Sequence, residues 1–511
     1  MTGTVQRRLL TAWTDPAAAF ASLYATDPYA FWLDTGPGAQ TGVSYLGAAS
    51  PHSRFVTASV AAGTVTSRTI ETTDAAPPDV TQETIFDFLR RDLAAQAGEN
   101  DDPTRQAGFE LGWVGWLGYE LGAQTVGTPV HGSRYPDAAL LEVHRLLRFD
   151  HGDRTVTLVA GTSSAEPGSA EPLATVTAWF DQTDAALTAI HLQAEAEAEA
   201  EAEAAAAGGA ATAAVGGAAT AAEAGPGREG RPPASVPPLW RHDPATYAAL
   251  IGTCLAAIHD GDAYQLCLTN EIRVPGSWHP VDTFVALRAG SPSHHGGLLR
   301  FGDVALLSAS PEQFLYVGGD RRIRTKPIKG TRPRASEPDE DERLKLELAH
   351  SDKERAENLM IVDLMRNDIG RIAQLGTVAV STLLAVESYP HVHQLVSTIE
   401  AQLAPGVTVV DAIETCFPAG SMTGAPKRSA MSILNGLERG PRGIYSGAFG
   451  YIGRGGVADL AIVIRSIVLD SHGASIGTGG GITALSDASE EIDETRIKAA
   501  ALLASLGVAA P

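Results

Sequence analysis

A low-complexity stretch near the middle of the chain most constrains what these 511 residues can fold into. Glutamate alternates with alanine over residues 194–204, and residues 205–238 consist mostly of Ala, Gly, Thr, Glu and Pro. The alternating part favours a solvated helix, whereas the glycine-rich part cannot bury enough apolar area to order itself. We therefore predict a disordered surface insertion without a catalytic role over residues 190–238. It separates a strand-rich N-terminal subdomain, residues 1–189, from a catalytic domain, residues 239–511.

The charge balance argues against two broad classes of partner. Lysine and arginine total 38 against 60 acidic residues, a formal net charge of −22, which disfavours a nucleic-acid or anionic-membrane surface. No apolar run reaches the length of a membrane span, and the chain starts without a signal-peptide pattern. The three cysteines, Cys254, Cys267 and Cys416, have no metal-ligand spacing. We expect a soluble cytoplasmic protein with reduced thiols.

Strand and helix patterns occur in blocks rather than in strict alternation. Blocks of this kind are typical of the α+β class, built on an antiparallel sheet. The predicted helices cover residues 84–94, 243–259, 339–350, 353–368, 426–436 and 487–506. The predicted strands include residues 54–60, 154–160, 264–273, 303–308, 313–317, 447–453, 457–469 and 474–478.

A basic, turn-rich segment, KPIKGTRPR at residues 326–334, sets Lys329 between an apolar residue and a glycine. Apolar and cationic neighbours lower the pKa of a lysine, which makes the amine usable as a nucleophile or base. Glu312 ends the SPE break between two predicted strands, and it is a candidate general acid if burial raises its pKa. An exposed basic turn and an ordinary turn carboxylate are the alternatives.

Two predicted helices each carry a pair of glutamates spaced three residues apart. These pairs are Glu354 with Glu357 and Glu491 with Glu494. Residues at this spacing share one helix face, so the two helices could present four carboxylates to one hard cation such as Mg²⁺. A solvated helix face is the alternative for each pair.

Several groups suit the binding of an anion. The glycines of GTGGGI, among them Gly479 and Gly480, leave backbone N–H groups free for a carboxylate or phosphate, although no phosphate-binding fingerprint matches. Arg465 is a charge inside the apolar run AIVIRSI, so it must pair or face a polar cavity. Lys498 lies one turn beyond the last glutamate pair, and Thr423 lies in a hydroxyl-rich loop that opens a helix. The set suits a small dianionic substrate.

A series of motifs identifies a family resemblance. Over residues 240–506 the chain resembles the chorismate-utilising enzymes through SASPEQFL, PIKGTRPR, AENLMIVDLMRNDIGRI, YPHVHQLVSTIE, CFPAGSMTGAPK, GIYSGAFGYI, AIVIRSI and GTGGGIT, in that order. The N-terminal half is similar only through FWLD, SYLG and GWLGYE. The resemblance implies a two-layer antiparallel β-sandwich surrounded by helices, the fold of anthranilate synthase component I, to which both halves contribute.

Within that family, the lysine of PIKGT resembles the aminodeoxychorismate synthases. The resemblance implies that Lys329 adds to C2 of chorismate as the 4-hydroxyl departs, and that ammonia then adds at C4 and expels the lysine. The product would be 4-amino-4-deoxychorismate, for p-aminobenzoate and folate biosynthesis. Anthranilate synthases typically carry alanine at this position, and isochorismate and salicylate synthases match less well. These enzymes, and a non-catalytic chorismate binder, are the alternatives.

The resemblance also implies roles for individual residues. Glu357 and Glu494 would hold Mg²⁺, with Glu354 and Glu491 in support, and Glu312 would protonate the departing hydroxyl. The substrate would be bound by Arg465, Tyr445, Thr423, Lys498, His393 and the backbone of Gly479 and Gly480. Ammonia would come from a glutamine amidotransferase subunit or from free ammonium.

Overall fold

A computed structural model describes residues 4–10, 12–70, 77–96, 108–162, 171–208, 237–389 and 391–509. The strands are β1 Thr4–Leu10, β2 Tyr29–Asp34, β3 Val43–Ala48, β4 Arg54–Ser59, β5 Thr64–Thr69, β6 Asp79–Gln82, β7 Gly112–Leu117, β8 Ala138–Val143, β9 Arg145–Asp150, β10 Thr155–Thr162, β11 Leu239–Trp240, β12 Gln265–Pro275, β13 His295–Phe301, β14 Val304–Ser310, β15 Gln313–Val317, β16 Arg322–Thr325, β17 Ile328–Pro333, β18 Ala379–Ser388, β19 Val392–Gln402, β20 Gly424–Ala425, β21 Ala448–Gly453, β22 Ala458–Ile462, β23 Ser466–Asp470 and β24 Gly473–Ile482. The helices are α1 Pro16–Leu23, α2 Ile85–Gln96, α3 Gly122–Thr125, α4 Leu173–Gly208, α5 Pro244–His259, α6 Pro280–Gly290, α7 Pro338–His350, α8 Asp352–Gly370, α9 Val409–Cys416, α10 Lys427–Glu438 and α11 Ala488–Ser505.

The strands form two antiparallel sheets of 12 strands each. The first sheet runs β1-β10-β9-β3-β2-β13-β14-β23-β24-β12-β11, with β20 added beside β12. The second sheet runs β17-β19-β16-β15-β22-β21-β7-β8-β4-β5-β6, with β18 added beside β19. The α+β class and the two-layer antiparallel sandwich predicted from the sequence are confirmed.

Three apolar layers hold the sandwich together. Between the sheets, buried side chains from β2 and β13 of the first sheet pack with others from β7 and β21 of the second, Phe31, Leu299, Trp116 and Phe449 among them. Outside the first sheet lie side chains of α1, α4, α6 and α11, and outside the second lie those of α2, α8 and α9. Burial of apolar area on both faces of each sheet is the main stabilising term.

Each sheet is assembled from both halves of the sequence, which meet at one seam. In the first sheet the seam is the ladder between β2 and β13, with Trp32 opposite Leu298. In the second it is the ladder between β7 and β21, with Trp116 opposite Phe449. The N-terminal half therefore completes the sheets that carry the catalytic domain.

The helices begin where the sequence indicates. Asp243 caps α5 by accepting a hydrogen bond from the backbone N–H of Thr246 at 2.7 Å, and Asp487 caps α11 by accepting from Ser489 at 2.9 Å. An acidic N-cap satisfies donors that the first turn leaves free. Among the described residues, no helix is long and apolar enough to cross a membrane.

The low-complexity stretch is only partly within the described residues. Helix α4 continues through the alternating alanine and glutamate residues to Gly208, so it crosses the predicted boundary at residue 190. Residues 209–236, on which most of the predicted insertion falls, lie outside the described residues.

One predicted strand, residues 457–469, is wrong because it covers two observed strands. Residues 457–469 form β22 in one sheet and β23 in the other, so the chain crosses between the layers at residues 463–465. The apolar run continues through the crossing because Val463 is buried between the layers and Ile464 packs against the apolar cluster outside the second sheet. Arg465 therefore lies at the crossing, with φ of 50°, and not within a strand.

Candidate active site

The site is built where the chain crosses twice between the sheets. One crossing connects β14 to β15 through residues 311–312, and the other connects β22 to β23 through residues 463–465. The two crossings are hydrogen-bonded to each other: Ala309 N–H donates to Arg465 C=O at 3.0 Å, and Ile462 N–H donates to Glu312 C=O at 3.0 Å. This pairing fixes the positions of Glu312 and Arg465 relative to each other.

Glu312 has the properties expected of a general acid. Its side chain is buried, and burial raises the pKa of its carboxyl group to about 7, although Lys329 and Lys498 oppose the shift. A carboxyl group with a pKa near 7 holds a proton that it can donate at neutral pH.

Lys329 lies on β17, where the pairing with β19 is interrupted by a bulge between Ile328 and Thr331. The segment predicted as turn-rich is thus a bulged strand. The Lys329 side chain is only 13% exposed, and its Nζ lies 3.8 Å from Glu357 Oε2 on α8. Burial lowers the pKa of Lys329, but the nearby carboxylates outweigh burial and the pKa is raised. The expectation of a lowered pKa is therefore wrong, because acids rather than cations surround the amine.

The four glutamates predicted to surround a cation lie on α8 and α11, and each has its own basic partner. The pairs and their N–O distances are Arg332–Glu354 at 3.2 Å, Lys329–Glu357 at 3.8 Å, Lys353–Glu491 at 3.2 Å and Lys498–Glu494 at 2.6 Å. Burial raises the pKa of Glu357, and repulsion from Glu494 and Glu491 adds to that effect. Burial also raises the pKa of Glu494, but the cations prevail, Lys498 foremost, and its net pKa is lowered.

These carboxylates fit a hard cation in the type of donor they offer. Glu491 is 1% exposed, and its Oε2 is buried without a hydrogen-bond partner among the described residues. An unpaired buried carboxylate oxygen is costly unless a ligand satisfies it, and oxygen is the donor that Mg²⁺ prefers. No three acidic, histidine or cysteine side chains of the described residues are already arranged as ligands of one metal ion.

The glycine-rich segment continues the strand that was predicted to end at residue 478. It belongs to β24, which pairs with β12 as far as Ile482 but with β23 only as far as Ile476. From residue 477 onward β24 no longer pairs with β23, so this edge of β24 faces the crossing that carries Arg465. The backbone groups of Gly479 and Gly480 lie in this stretch, and the absence of side chains lets other groups approach it. A Cβ on Gly480 would lie 2.8 Å from Glu491 Oε2.

The missing side chain of Gly477 leaves room for Tyr445, as that of Gly480 does for Glu491. A Cβ on Gly477 would overlap the ring of Tyr445, which lies against the β24 backbone. Arg465 interacts electrostatically with Tyr445 and Glu494, but its guanidinium forms no ion pair within 4 Å in the described part of the chain. Burial lowers the pKa of Arg465. A buried guanidinium without a direct ion pair suits a substrate carboxylate.

The remaining predicted binding residues differ in what they contact. Lys498 Nζ donates to the Gly479 carbonyl at 2.8 Å, which ties α11 to β24 inside the site. Thr423 is fully buried, and its hydroxyl donates to the Gly420 carbonyl at 3.2 Å. His393 lies on β19 opposite Arg332 of the lysine strand and has partners of its own. Its Nε2 lies 3.0 Å from Asp341 Oδ1 and its Nδ1 lies 2.8 Å from Ser388, on the side of α7.

Two polar residues of the site were missed from the sequence. Gln265 begins β12 fully buried, and neither atom of its amide has a hydrogen-bond partner among the described residues. A Cβ on Gly481 would collide with the Gln265 amide and lie 3.5 Å from Lys329 Nζ, so amide and amine are close. Lys353 was also missed. The available signal for Gln265 was a polar residue directly before the apolar stretch of residues 266–268.

Comparison with known proteins agrees with this geometry. Residues 31–504 match the family described as chorismate binding enzyme. The chain is 41% identical to an aminodeoxychorismate synthase of Streptomyces griseus over 99% of its length, and 40% identical to one of Streptomyces pristinaespiralis over 96%. It covers 65% and 64% of those two proteins.

A solved structure supports the same assignment. The fold is similar to that of anthranilate synthase component I from Streptococcus pneumoniae, with a TM-score of 0.67 and 25% identity, covering 91% of this chain and 92% of that one. The family match spans nearly all of the chain and includes both crossings, both glutamate helices and the lysine strand. This chain is therefore a member of the chorismate-binding enzyme family.

Proposed function

We propose that this chain converts chorismate and ammonia into 4-amino-4-deoxychorismate, the precursor of p-aminobenzoate for folate biosynthesis. The observation that carries the proposal is a buried amine, Lys329, beside a buried acid, Glu312, whose pKa is raised to about 7. A pure chorismate binder has no need of both groups. The identity of 41% to an aminodeoxychorismate synthase supports the choice of reaction.

The residues divide the reaction between them. The deprotonated Nζ of Lys329 forms a bond to C2 of chorismate, both ring double bonds shift by one position, and the C4–O bond breaks. Glu312 gives its proton to the departing hydroxyl, which leaves as water. Ammonia then forms a bond to C4 while the bond from C2 to Lys329 breaks, so both double bonds return to their places. The lysine leaves as a neutral amine, and the ammonium formed at C4 returns a proton to Glu312. Arg465 and Tyr445 hold the substrate during both steps.

We also propose that Mg²⁺ binds at Glu357 and Glu494, with Glu354 and Glu491 in support. When bound, Mg²⁺ would hold a substrate carboxylate. It would also neutralise Glu357, so that the Glu357 carboxylate would hold the proton of Lys329 less strongly. The basic side chains that pair with the four glutamates must move away before these carboxylates can bind one ion. The buried, unpartnered Oε2 of Glu491 supports this convergence.

Gln265 is compatible with ammonia as the incoming nucleophile. A neutral amide cannot remove a proton from water, whereas ammonia attacks without the help of a base. Formation of isochorismate or salicylate would need the Lys329 amine, rather than the neighbouring amide, as the base for water. We propose that ammonia comes from a glutamine amidotransferase subunit, with free ammonium as a substitute in vitro.

Anthranilate synthesis is the second candidate, because the fold is shared with an anthranilate synthase component I. A product assay separates the two. The purified chain is incubated with chorismate, Mg²⁺ and ammonium, with and without an added aminodeoxychorismate lyase. We expect p-aminobenzoate only when the lyase is present. Anthranilate formed without lyase would replace the proposal, and chorismate that binds but is never consumed would indicate a binder.

A further inference from the structure

A second cavity lies behind the wall that carries Glu312 and Lys329. Its volume is about 210 Å³. Neighbouring residues of an extended chain point to opposite sides, and the lining follows that rule. Pro311 and Gln313 line the cavity while Glu312 between them interacts with Lys329, and Ile328 lines the cavity while Lys329 contacts α8. The cavity and the active site thus share a wall one strand thick.

The polar lining of this cavity is basic. It comprises His294, His295, Gln313, Arg324, Lys326 and Tyr389. No acidic side chain lines the cavity. Lys326 is paired with Glu387 at 3.1 Å, and Asp459, behind the lining, accepts from Gln313 Nε2 at 2.8 Å. Arg324 has no carboxylate within 4 Å among the described residues; its Nε donates to Gln313 Oε1 at 3.3 Å.

His295 supplies an independent sign of a missing ligand. Both of its ring nitrogens are buried, and neither has a hydrogen-bond partner in the described part of the chain. Burial lowers the pKa of His295, so the ring is neutral and offers one donor and one acceptor. Two unsatisfied nitrogens in a buried ring cost free energy that a bound polar molecule would offset.

The shape of the cavity limits the size and form of its occupant. Ligand pockets for drug-sized molecules hold about 300–1,000 Å³, so this cavity takes something smaller, the size of one substituted ring. His294 and Tyr389, which both line the cavity, are stacked on each other with their centroids 4.8 Å apart and their planes 11° apart, so aromatic rings form part of the wall. A flat ligand packs well against such a wall.

We propose that this cavity is a second ligand site, which takes a small planar carboxylate held by Arg324 and His295. The carboxylate would meet the guanidinium, which suits it by charge and geometry, and the ring would lie beside His294 and Tyr389. The site is distinct from the chorismate site, because the shared wall separates it from Glu312 and Lys329. Its occupancy does not depend on which chorismate reaction the protein catalyses.

The test is a calorimetric titration of the full chain with benzoate, with uncharged benzamide as the matched probe. We expect saturable binding of benzoate, at least tenfold tighter than that of benzamide. Arg324→Met should weaken benzoate binding at least tenfold, whereas Arg322→Met, an exposed arginine on the same strand, should leave it unchanged. Thermal unfolding of both variants establishes that they are folded.

A second variant separates the two sites. Arg465→Met removes the guanidinium of the chorismate site and should leave benzoate binding unchanged. If Arg465→Met abolishes binding and Arg324→Met does not, benzoate occupies the chorismate site and the proposal is wrong. Absence of saturable binding, or equal binding of benzoate and benzamide, would overturn it as well. In the expected case, the imidazole ¹⁵N resonances of His295 shift on addition of benzoate.

Discussion

Lys353 on the first turn of α8 and Glu491 on α11 are joined by an ion pair of 3.2 Å. The pair connects the two helices that carry the four glutamates. It holds Glu491 by one oxygen, while the other has no hydrogen-bond partner among the described residues. Lys353 therefore places a positive charge where a divalent cation would act. All four carboxylates are paired with the protein's own basic side chains.

Removal of Lys353 should strengthen Mg²⁺ binding. At separations of 4–5 Å, a unit charge near the surface weakens the binding of a cation by a few kcal/mol at most. Because Lys353 is about one-third exposed, we expect its removal to strengthen Mg²⁺ binding by about 1 kcal/mol, or roughly fivefold. The measurement is calorimetric titration of Lys353→Met with MgCl₂. Lys345→Met, which alters a partly exposed lysine on α7 that is likewise paired with a glutamate, is the matched control. Unchanged or weaker binding in Lys353→Met would contradict the competition.

Loss of the Lys329 amine should abolish formation of 4-amino-4-deoxychorismate. If Lys329 forms the covalent intermediate, Lys329→Met removes a reaction step and not just a contact, and kcat should fall on the order of 10³-fold or more. The lyase-coupled assay measures this fall, with Lys345→Met as the control. Full activity in Lys329→Met would exclude the nucleophile role, and mass spectrometry of quenched wild-type protein should detect the lysine adduct.

The rise of activity with pH should level off at about 7. The raised pKa of Glu312 means that its carboxyl group is protonated below about 7 and loses the proton above it. The pKa of Lys329 is also raised, so the fraction of free amine grows with pH throughout this range. Because the reaction needs the protonated acid and the free amine together, kcat/KM should rise up to about pH 7 and stay level above it. Glu312→Gln should lower activity by roughly 10²–10⁴-fold and remove that inflection. A continued steep rise from pH 7 to 8 in the wild type would argue against Glu312 as the acid.

A methyl group at Gly477 should displace Tyr445. The added Cβ overlaps the ring, so Gly477→Ala forces the tyrosine out of the substrate site. We expect a raised KM for chorismate and a loss of about 1–3 kcal/mol in the free energy of unfolding. Gly252→Ala, in the middle of α5 where a Cβ meets nothing within 4 Å, is the control and should be neutral or slightly stabilising. Normal KM in Gly477→Ala would show that Tyr445 does not bind the substrate.

Local patterns in the sequence predicted most elements of the catalytic domain. The strand Gln313–Val317 was predicted with its observed bounds, and α7, α8 and α11 begin and end within two residues of the prediction. Capping residues and helical periodicity are local signals, so they can be recognised without knowing which residues are neighbours in space. The residues of the family motifs likewise placed Glu312, Lys329 and the four glutamates near one another.

What the sequence could not supply depends on contacts between distant residues. The crossing at Arg465 resembles a strand in its apolar periodicity, and only the partner sheets show that the chain changes layer there. The pKa of Lys329 depends on carboxylates from α8 and α11, which no reading of the PIKGT segment includes. For the same reason, the partners of each glutamate and the open edge of β24 were not foreseen.

The single seam in each sheet bears on how the protein would respond to a cut backbone. The parts that end at Gly208 and begin at Leu239 meet along the β2–β13 and β7–β21 ladders and share the apolar layer between the sheets. A chain cleaved between them would remain joined as a tight heterodimer, since neither fragment can cover its exposed strand edges alone. The two fragments, produced separately, should reconstitute one particle only when mixed, so the molecule behaves as a fused pair of interdependent subunits.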